Sequence, residues 1–413
     1  MARILLLALF GAAGLTAADP PKSWIDPDTG HRVIRLTDEP DSASLYFNQN
    51  GYTADGKEMV YTVPGGIRAL NLASGASHSV VDGRVRIVVT GRRTQNVYYI
   101  KGGEVCATDV DSLKTRCAGK LPPRASIATI NADETLAAGT YIEGDSADYN
   151  QRPAGQGAQP GDGQQVQGLI QPQNKGQMME QRLAARLPMA MFTMNLQSGQ
   201  IKVVHRATDW LNHLEFSPTD PTLLMFCHEG PWHKVDRIWT IRTDGTNRTQ
   251  IHTRTMAGEI FGHEFWSPDG KTIWYDLQTP RGEDFWLAGR NVETGERTWY
   301  HLQRDEWSIH FNVTSDGTLF CGDGGDPGQV ARAKDGQWIY LFRPQRIQFE
   351  GMLNDKDFVQ PGVFRAEKLV NMSKHNYKLE PNVSFTPDRR WVVFRSNMFG
   401  PTYAFAVEVE KAK

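Results

Sequence analysis

The stretch SPDGKTIWYD (267–276) joins a polar turn containing Asp269 and Gly270 to a strand of alternating character. The same turn-strand unit recurs along the chain, and this recurrence decides the fold class. The other copies are TADGKEMVYT from Thr53, NADETLAAGT from Asn131, SPTDPTLLMF from Ser217, TSDGTLFCGD from Thr314 and TPDRRWVVFRS from Thr386, with VTGRRTQNVYYI from Val89 as a degraded copy. Once insertions are allowed for, the copies follow each other at about 40 to 50 residues, the period of a four-stranded propeller blade.

A second motif, a strand that closes on a polar turn, lies between the copies. Examples are IRALNLASGASHSVV from Ile67 and FWLAGRNVETGERTWY from Phe285. The two motifs together predict an all-β fold, a seven-bladed β-propeller that forms a single domain over residues 19–413. The segment HRVIRLT (31–37) belongs to no copy. We expect it to complete the blade made by the C-terminal strands and so to close the ring.

One segment, residues 144–182, interrupts the pattern because it is rich in Gln and Gly and lacks periodicity. One interpretation is an insertion between two strands of a single blade, with no function of its own. The other is a flap over a binding face, since long loops in compact domains are often lids.

Composition narrows the function classes. Of the 413 residues 39% are hydrophobic and 22% charged, and the formal net charge is −2, which argues against a nucleic-acid partner. Residues 1–18 begin with a charged start at Arg3, continue with a short apolar run and end in small residues. This pattern is typical of a secretory signal peptide, and it predicts a periplasmic or secreted protein that leaves the membrane after cleavage.

An oxidising compartment permits disulfides. Cys106 and Cys117 flank a polar turn, so in a hairpin centred there they would lie opposite each other. They are expected either to form a bridge or to remain two free buried thiols. Cys227 and Cys321 are expected to be unpaired.

Three histidines occupy equivalent places in successive copies, each four residues before its turn: His213, His263 and His310. Equivalent positions of a propeller lie on one face around the central channel, so the three imidazoles should converge. A single histidine is commonly a buried core residue, whereas three in register indicate a functional cluster.

The fourth equivalent position is Asn382, and Glu380 faces the same way two residues earlier. Beside His310 these two residues would make a divalent-metal site; the alternative is an ordinary polar stretch of channel wall. The motif FCHEGPWHKVDRIW (226–239) adds His228, Glu229 and Arg237 to the expected substrate-binding set. Arg237 would either hold a substrate carboxylate or form a salt bridge within the protein.

These blocks resemble a known family. FCHEGPWHKVDRIW, GHEFWSPDGKTIWY, SIHFNVTSDGTLFCGDG and PNVSFTPDRRWVVF occur in the order found in the oligogalacturonate lyases of polysaccharide lyase family 22, which are TolB-like seven-bladed propellers. The resemblance implies β-elimination on short α-1,4-linked galacturonides, the breakdown products of pectin. It implies that His263 is the base that removes the C5 proton, that Arg237 steadies the substrate carboxylate, and that a divalent metal, typically manganese, binds the uronate.

The sequence departs from the family in its metal ligands. The family uses three histidines and a glutamine, in a block that reads QxxHxH before the SFTPD turn. His310 is kept, but Tyr377, Glu380 and Asn382 replace the glutamine and the other two histidines. Glutamate and asparagine favour hard cations such as calcium, magnesium or manganese, so the site is either altered or lost. Two alternatives therefore remain: a lyase for another uronate-containing oligosaccharide, and a non-catalytic propeller that binds glycans or proteins.

Overall fold

The computed structural model describes residues 20–144, 174–348, 350–351 and 358–412. The expected signal peptide, residues 1–18, lies outside the described residues, as does most of the segment 144–182. Among the described residues, no helix combines the length and the apolar character needed to cross a membrane.

The described chain is built from antiparallel sheets that follow one another in sequence. The first two strands are β1 (Ser23–Ile25) and β2 (His31–Arg35). Four four-stranded sheets follow. Their strands are β3 (Ala43–Ser44), β4 (Glu58–Val63), β5 (Gly66–Asn71) and β6 (Ser77–Asp82); β7 (Arg86–Thr90), β8 (Asn96–Lys101), β9 (Glu104–Asp109) and β10 (Thr115–Lys120); β11 (Ser126–Ile130), β12 (Leu136–Ile142), β13 (Met189–Asn195) and β14 (Ile201–Ala207); and β15 (Trp210–Phe216), β16 (Leu223–Glu229), β17 (Ile238–Arg242) and β18 (Thr249–Gln250).

An eight-stranded sheet comes next, and it consists of two antiparallel four-stranded halves. The halves are β19 (Ile260–Trp266), β20 (Thr272–Gln278), β21 (Phe285–Asn291) and β22 (Arg297–Leu302); and β23 (Phe311–Val313), β24 (Phe320–Gly322), β25 (Trp338–Arg346) and β26 (Val359–Asn371). A 3₁₀ helix, Arg304–Glu306, connects them. The halves join through β22 and β26, which pair in parallel.

The last sheet contains both ends of the described chain. It is ordered β1-β2-β29-β28-β27, where the C-terminal strands are β27 (Ser384–Phe385), β28 (Trp391–Ser396) and β29 (Tyr403–Lys411). Val33 of β2 lies opposite Val407 of β29, and both side chains are fully buried. The expectation that residues 31–37 complete the C-terminal sheet is thus confirmed.

The recurring turn has a local physical cause. In SPDG the Ser267 hydroxyl donates a hydrogen bond to Asp269 at 2.6 Å, and the same carboxylate accepts from the amide of Lys271 at 3.0 Å. Thr53, Thr314 and Thr386 make the equivalent hydroxyl-carboxylate bond in their own turns. A side-chain oxygen that replaces backbone partners stabilises a tight turn, which explains the Ser/Thr-x-Asp pattern.

The segment 144–182 does lie between two strands of one sheet, since β12 and β13 pair directly. Its end differs from the expectation of an aperiodic segment, because Lys175–Ala185 forms the helix α1. The Asn174 side chain accepts from the amide of Gln177 at 3.0 Å and caps the helix. Met178, Met179 and Arg182 are its buried residues. Their spacing over one turn is too short to have been recognised as periodic.

Cys106 and Cys117 form a disulfide between β9 and β10, where they lie directly opposite each other. Cys227 and Cys321 are free and buried. The bridge closes a short loop, with the two cysteines 11 residues apart in the sequence.

We expect reduction of this disulfide to lower the free energy of unfolding by about 3 kcal/mol, the value typical of a loop of this size. Urea unfolding with and without a reducing agent measures the difference. A variant with both Cys106→Ala and Cys117→Ala is the matched control, and its stability should not respond to the reducing agent. An equal response of both proteins would contradict the prediction.

Candidate active site

Three of the four equivalent repeat positions at the candidate site have a strained backbone. His213 and His263 have φ of 48°, and Asn382, at the equivalent place before β27, has φ of 56°. In β15 and β19 the pairing register shifts around the histidine, as in a β-bulge. A left-handed backbone is costly for residues other than glycine, so its repetition at one repeat position points to a functional demand.

His263 has the surroundings of a general base. Its Nδ1 lies 3.2 Å from Oδ1 of Asp276, a fully buried carboxylate on the neighbouring strand β20. Asp276 holds the proton on Nδ1, which leaves Nε2 as the acceptor. The ring packs edge-on against Trp232 at 5.1 Å between centroids. Its side chain is 14% exposed, so a ligand can reach it.

His310 lies next to His263, with 5.1 Å between the ring centroids. Both oxygens of Asp323 hold it: one accepts from its backbone amide at 2.8 Å, and the other lies 2.9 Å from Nδ1. The Tyr46 hydroxyl lies 3.0 Å from Nε2. Burial lowers the pKa of His310 well below its ordinary value, so the imidazole is neutral, and burial raises the pKa of Asp323 to about 7.

The three residues expected to bind a metal are brought together. Oε2 of Glu380 lies 3.8 Å from Nε2 of His310, and the backbone amide of Asn382 donates to Asp323 at 3.2 Å. Oε2 of Glu380 and Oδ1 of Asn382 are buried, yet neither has a hydrogen-bond partner. Buried oxygens without partners are costly, and a hard divalent cation would satisfy both. A carboxylate behind a ligating imidazole, as Asp323 stands behind His310, is the usual support of such a ligand. The donor set therefore fits a divalent cation.

His213, Glu229 and Arg237 form a second, adjoining group. Nη1 of Arg237 lies 2.6 Å from Glu229, whose other oxygen lies 3.0 Å from Nε2 of His213. Glu264, next to His263 in sequence, lies 3.6 Å from both Arg237 and His213. Burial acts to raise the pKa of Glu229, but Arg237 and His213 together outweigh it and bring that pKa well below its ordinary range.

Arg237 follows the second of its two expected roles, a salt bridge within the protein. The resemblance implies a guanidinium that faces the substrate, but this side chain is only 1% exposed and is already bound to Glu229. It also stacks on Trp232, at 4.5 Å from the ring centroid, and Trp232 contacts the ring of His263. Arg237 thus lies near the candidate base with its charge balanced by Glu229 and Glu264.

His228 does not lie beside the other residues of its motif that were expected to bind substrate. Neighbouring residues of a strand face opposite sides of its sheet, so His228 points away from Glu229 at the end of β16. Its Nδ1 lies 3.2 Å from Asp209, and its ring contacts Trp239. The structure therefore separates His228 from the group of His213 and Glu229.

We expect Glu229→Gln to destabilise the protein by about 3 kcal/mol, because Arg237 would lose its closest counter-ion while remaining buried. Urea unfolding of the variant and the parent protein measures this. Asp220→Asn is the matched control: it removes a half-exposed partner of Arg242, and it should cost less than about 1 kcal/mol. If the two variants are equally stable, the buried pair does not contribute as the geometry indicates.

Sequence reasoning missed five residues of the site, namely Tyr46, Trp232, Glu264, Asp276 and Asp323. Asp276 and Asp323 each stand 13 residues after a candidate histidine, one strand further on. That shared spacing was a usable signal. Tyr46 lies in a segment outside the repeats, and no sequence pattern indicated its role.

Comparison with known proteins gives a consistent result. The family model described as oligogalacturonate lyase matches residues 177–412. An oligogalacturonide lyase of Pectobacterium atrosepticum is 27% identical over 52% of this chain and 54% of its own length. An oligogalacturonate lyase of Dickeya dadantii is 26% identical over 52% and 54%. The chain thus spans about half the length of these curated relatives.

Similarity to solved structures extends over nearly the whole chain. An oligogalacturonate lyase in complex with manganese superposes with a TM-score of 0.71, at 22% identity, over 94% of this chain and 96% of the other. An oligogalacturonate lyase from Vibrio parahaemolyticus gives the same TM-score and coverage at 23% identity. At these identities the likeness establishes the fold.

Proposed function

The chain belongs to the oligogalacturonate lyase family, and on that premise we propose that it cleaves oligogalacturonides by β-elimination. The observation that carries the proposal is His263, reachable from solvent and oriented by the buried carboxylate of Asp276. A general base needs this pairing, because a partner on Nδ1 fixes the tautomer that accepts a proton on Nε2.

In the proposed reaction Nε2 of His263 takes the proton from C5 of a galacturonate residue. The electron pair of that C–H bond forms the C4–C5 double bond, and the glycosidic bond at C4 breaks. The leaving oxygen takes a proton from water. Arg237, which stacks on Trp232 beside His263, holds Glu229 in place and through it His213.

We propose further that His310, Glu380 and Asn382 hold a divalent cation, manganese before calcium or magnesium. When bound, such a cation would stabilise the charge that builds on the uronate carboxylate during proton removal. Asp323 keeps the Nε2 lone pair of His310 directed toward Glu380 and Tyr46.

The sheets themselves support a propeller of seven blades. Dividing the eight-stranded sheet at its parallel pair gives seven successive antiparallel sheets, of which the last joins the two chain ends. We propose this arrangement, in a protein that is exported to the periplasm or secreted. A crystal structure with seven sheets around one axis, and N-terminal sequencing of the exported protein, would test the two statements.

An ultraviolet assay for the unsaturated uronate product tests the activity. Purified protein is offered digalacturonate and trigalacturonate after EDTA treatment, then with added Mn²⁺ or Ca²⁺. We expect product that disappears with EDTA and returns with one of the cations. Absence of product with every cation would overturn the proposal, and other uronate-containing oligosaccharides would be examined next.

A further inference from the structure

A cavity of about 140 Å³ adjoins the candidate site. Tyr46, which contacts His310, and His213, which binds Glu229, both line it. Two arginines, Arg86 and Arg92, line it as well. Small-molecule sites commonly measure about 300 to 1,000 Å³, so this cavity suits one charged group or ring rather than a whole oligosaccharide.

Both arginines lack a partner. Arg86 is half-buried and Arg92 is exposed, and no hydrogen bond or ion pair joins either guanidinium to any residue within 20–144, 174–348, 350–351 and 358–412. Arg86 begins β7, next to the register shift between Ile87 and Val89. His213 lies at the corresponding shift of β15. Arg86 therefore occupies nearly the same level of its strand as His213, and Arg92 follows in the turn after β7.

The acidic residues of the cavity do not cancel this charge. Burial raises the pKa of Glu215 to about 8, despite the opposing effect of Arg92, so Glu215 is mostly uncharged near neutral pH. Glu134 already has partners, because its oxygens accept from Thr94 and from the Tyr98 hydroxyl. Two unpaired guanidinium groups against one satisfied carboxylate leave the cavity cationic.

We infer that this cavity is a second carboxylate-binding subsite, in which Arg86, with Arg92 lining the same cavity, holds the uronate one residue beyond the two that the cleaved bond joins. The inference rests on the proposed function. A guanidinium binds a carboxylate with two parallel hydrogen bonds, which gives both affinity and orientation. The net charge of −2 gives the whole protein no attraction for a polyanion, so affinity must come from such local groups.

The subsite would make binding affinity depend on the number of galacturonate residues in the substrate. A digalacturonate bound across the position of cleavage has no third carboxylate to place in the cavity, whereas a trigalacturonate has one. We therefore expect Arg86 to contribute more to binding of the trimer than of the dimer.

The experiment measures binding of digalacturonate and trigalacturonate by calorimetry, with His263→Ala as the background that prevents turnover. Adding Arg86→Gln should weaken trimer binding about tenfold to hundredfold and dimer binding less. Arg92→Gln should have a smaller effect in the same direction. Arg86→Lys, which keeps the charge but not the forked geometry, should recover part of the loss and so exclude misfolding as its cause.

Arg84→Gln and Arg93→Gln are the matched controls, because these exposed arginines flank the same strand and do not line the cavity. Both should leave the two affinities unchanged. If Arg86→Gln lowers the affinity for dimer and trimer equally, or lowers neither, the subsite is overturned. The proposed lyase activity still stands in that case if the parent protein forms product. A parent protein that neither binds nor cleaves any galacturonide would overturn both.

Discussion

His263→Gln should reduce the rate of unsaturated product formation by about 10² to 10⁴-fold, the usual contribution of a positioned general base. Glutamine keeps much of the volume of histidine and can still hydrogen-bond Asp276, but it cannot accept a proton. The backbone position is already strained at φ 48°, and the side chain sits against Trp232, so the replacement should change chemistry more than packing. The measurement is the steady-state rate with trigalacturonate under metal-saturated conditions.

Asp276→Asn should also lower the same rate, because His263 stays in place but its tautomer is no longer the one that accepts a proton on Nε2. His301→Gln is the matched control. It replaces a histidine on β22 whose ring contacts Trp286, away from the candidate site, and it should leave the rate unchanged. If His263→Gln turns over at the parent rate, the base has been assigned to the wrong residue, whatever the effect of Asp276→Asn.

Much of the fold was accessible from sequence because its repeating element is local. The Ser/Thr-x-Asp turn closes through bonds between residues two to five apart, so a short stretch such as 267–276 contains its own explanation. The pairing of residues 31–37 with the C-terminal sheet was also predictable, since a strand outside every repeat needs a partner. The helix α1 was not, because only one face of a short segment is buried and its cap is a single asparagine.

The site was predictable only where the repeat fixed it. Equivalent positions placed His263 and His310 side by side, as expected. The burial of Arg237 and the separation of His228 from Glu229 depend on strand register and on which face each residue takes. Tyr46 contacts His310 although the two residues are 264 positions apart in the sequence, and nothing in the local sequence of Tyr46 predicts that contact.

Glu380→Gln should weaken Mn²⁺ binding about 100-fold, which makes the ligand set testable without any turnover. Glutamine keeps the shape and one oxygen of glutamate but removes the negative charge, and charge count is a main determinant of affinity for hard cations. Calorimetry with Mn²⁺ and with Ca²⁺ on EDTA-treated protein gives the affinities directly. Asn382→Asp should act oppositely and tighten binding, because it adds a charge where a buried oxygen already lacks a partner.

Glu410→Gln, an exposed change near the end of β29, is the matched control and should bind Mn²⁺ as the parent does. If Glu380→Gln and the parent bind with equal affinity, the cation sits elsewhere and the orphaned oxygens need another partner. If the parent binds neither cation, replacement of the family's histidines has ended metal binding. The charge developing on the substrate carboxylate would then be met by guanidinium groups alone, and activity, if present, would be insensitive to EDTA.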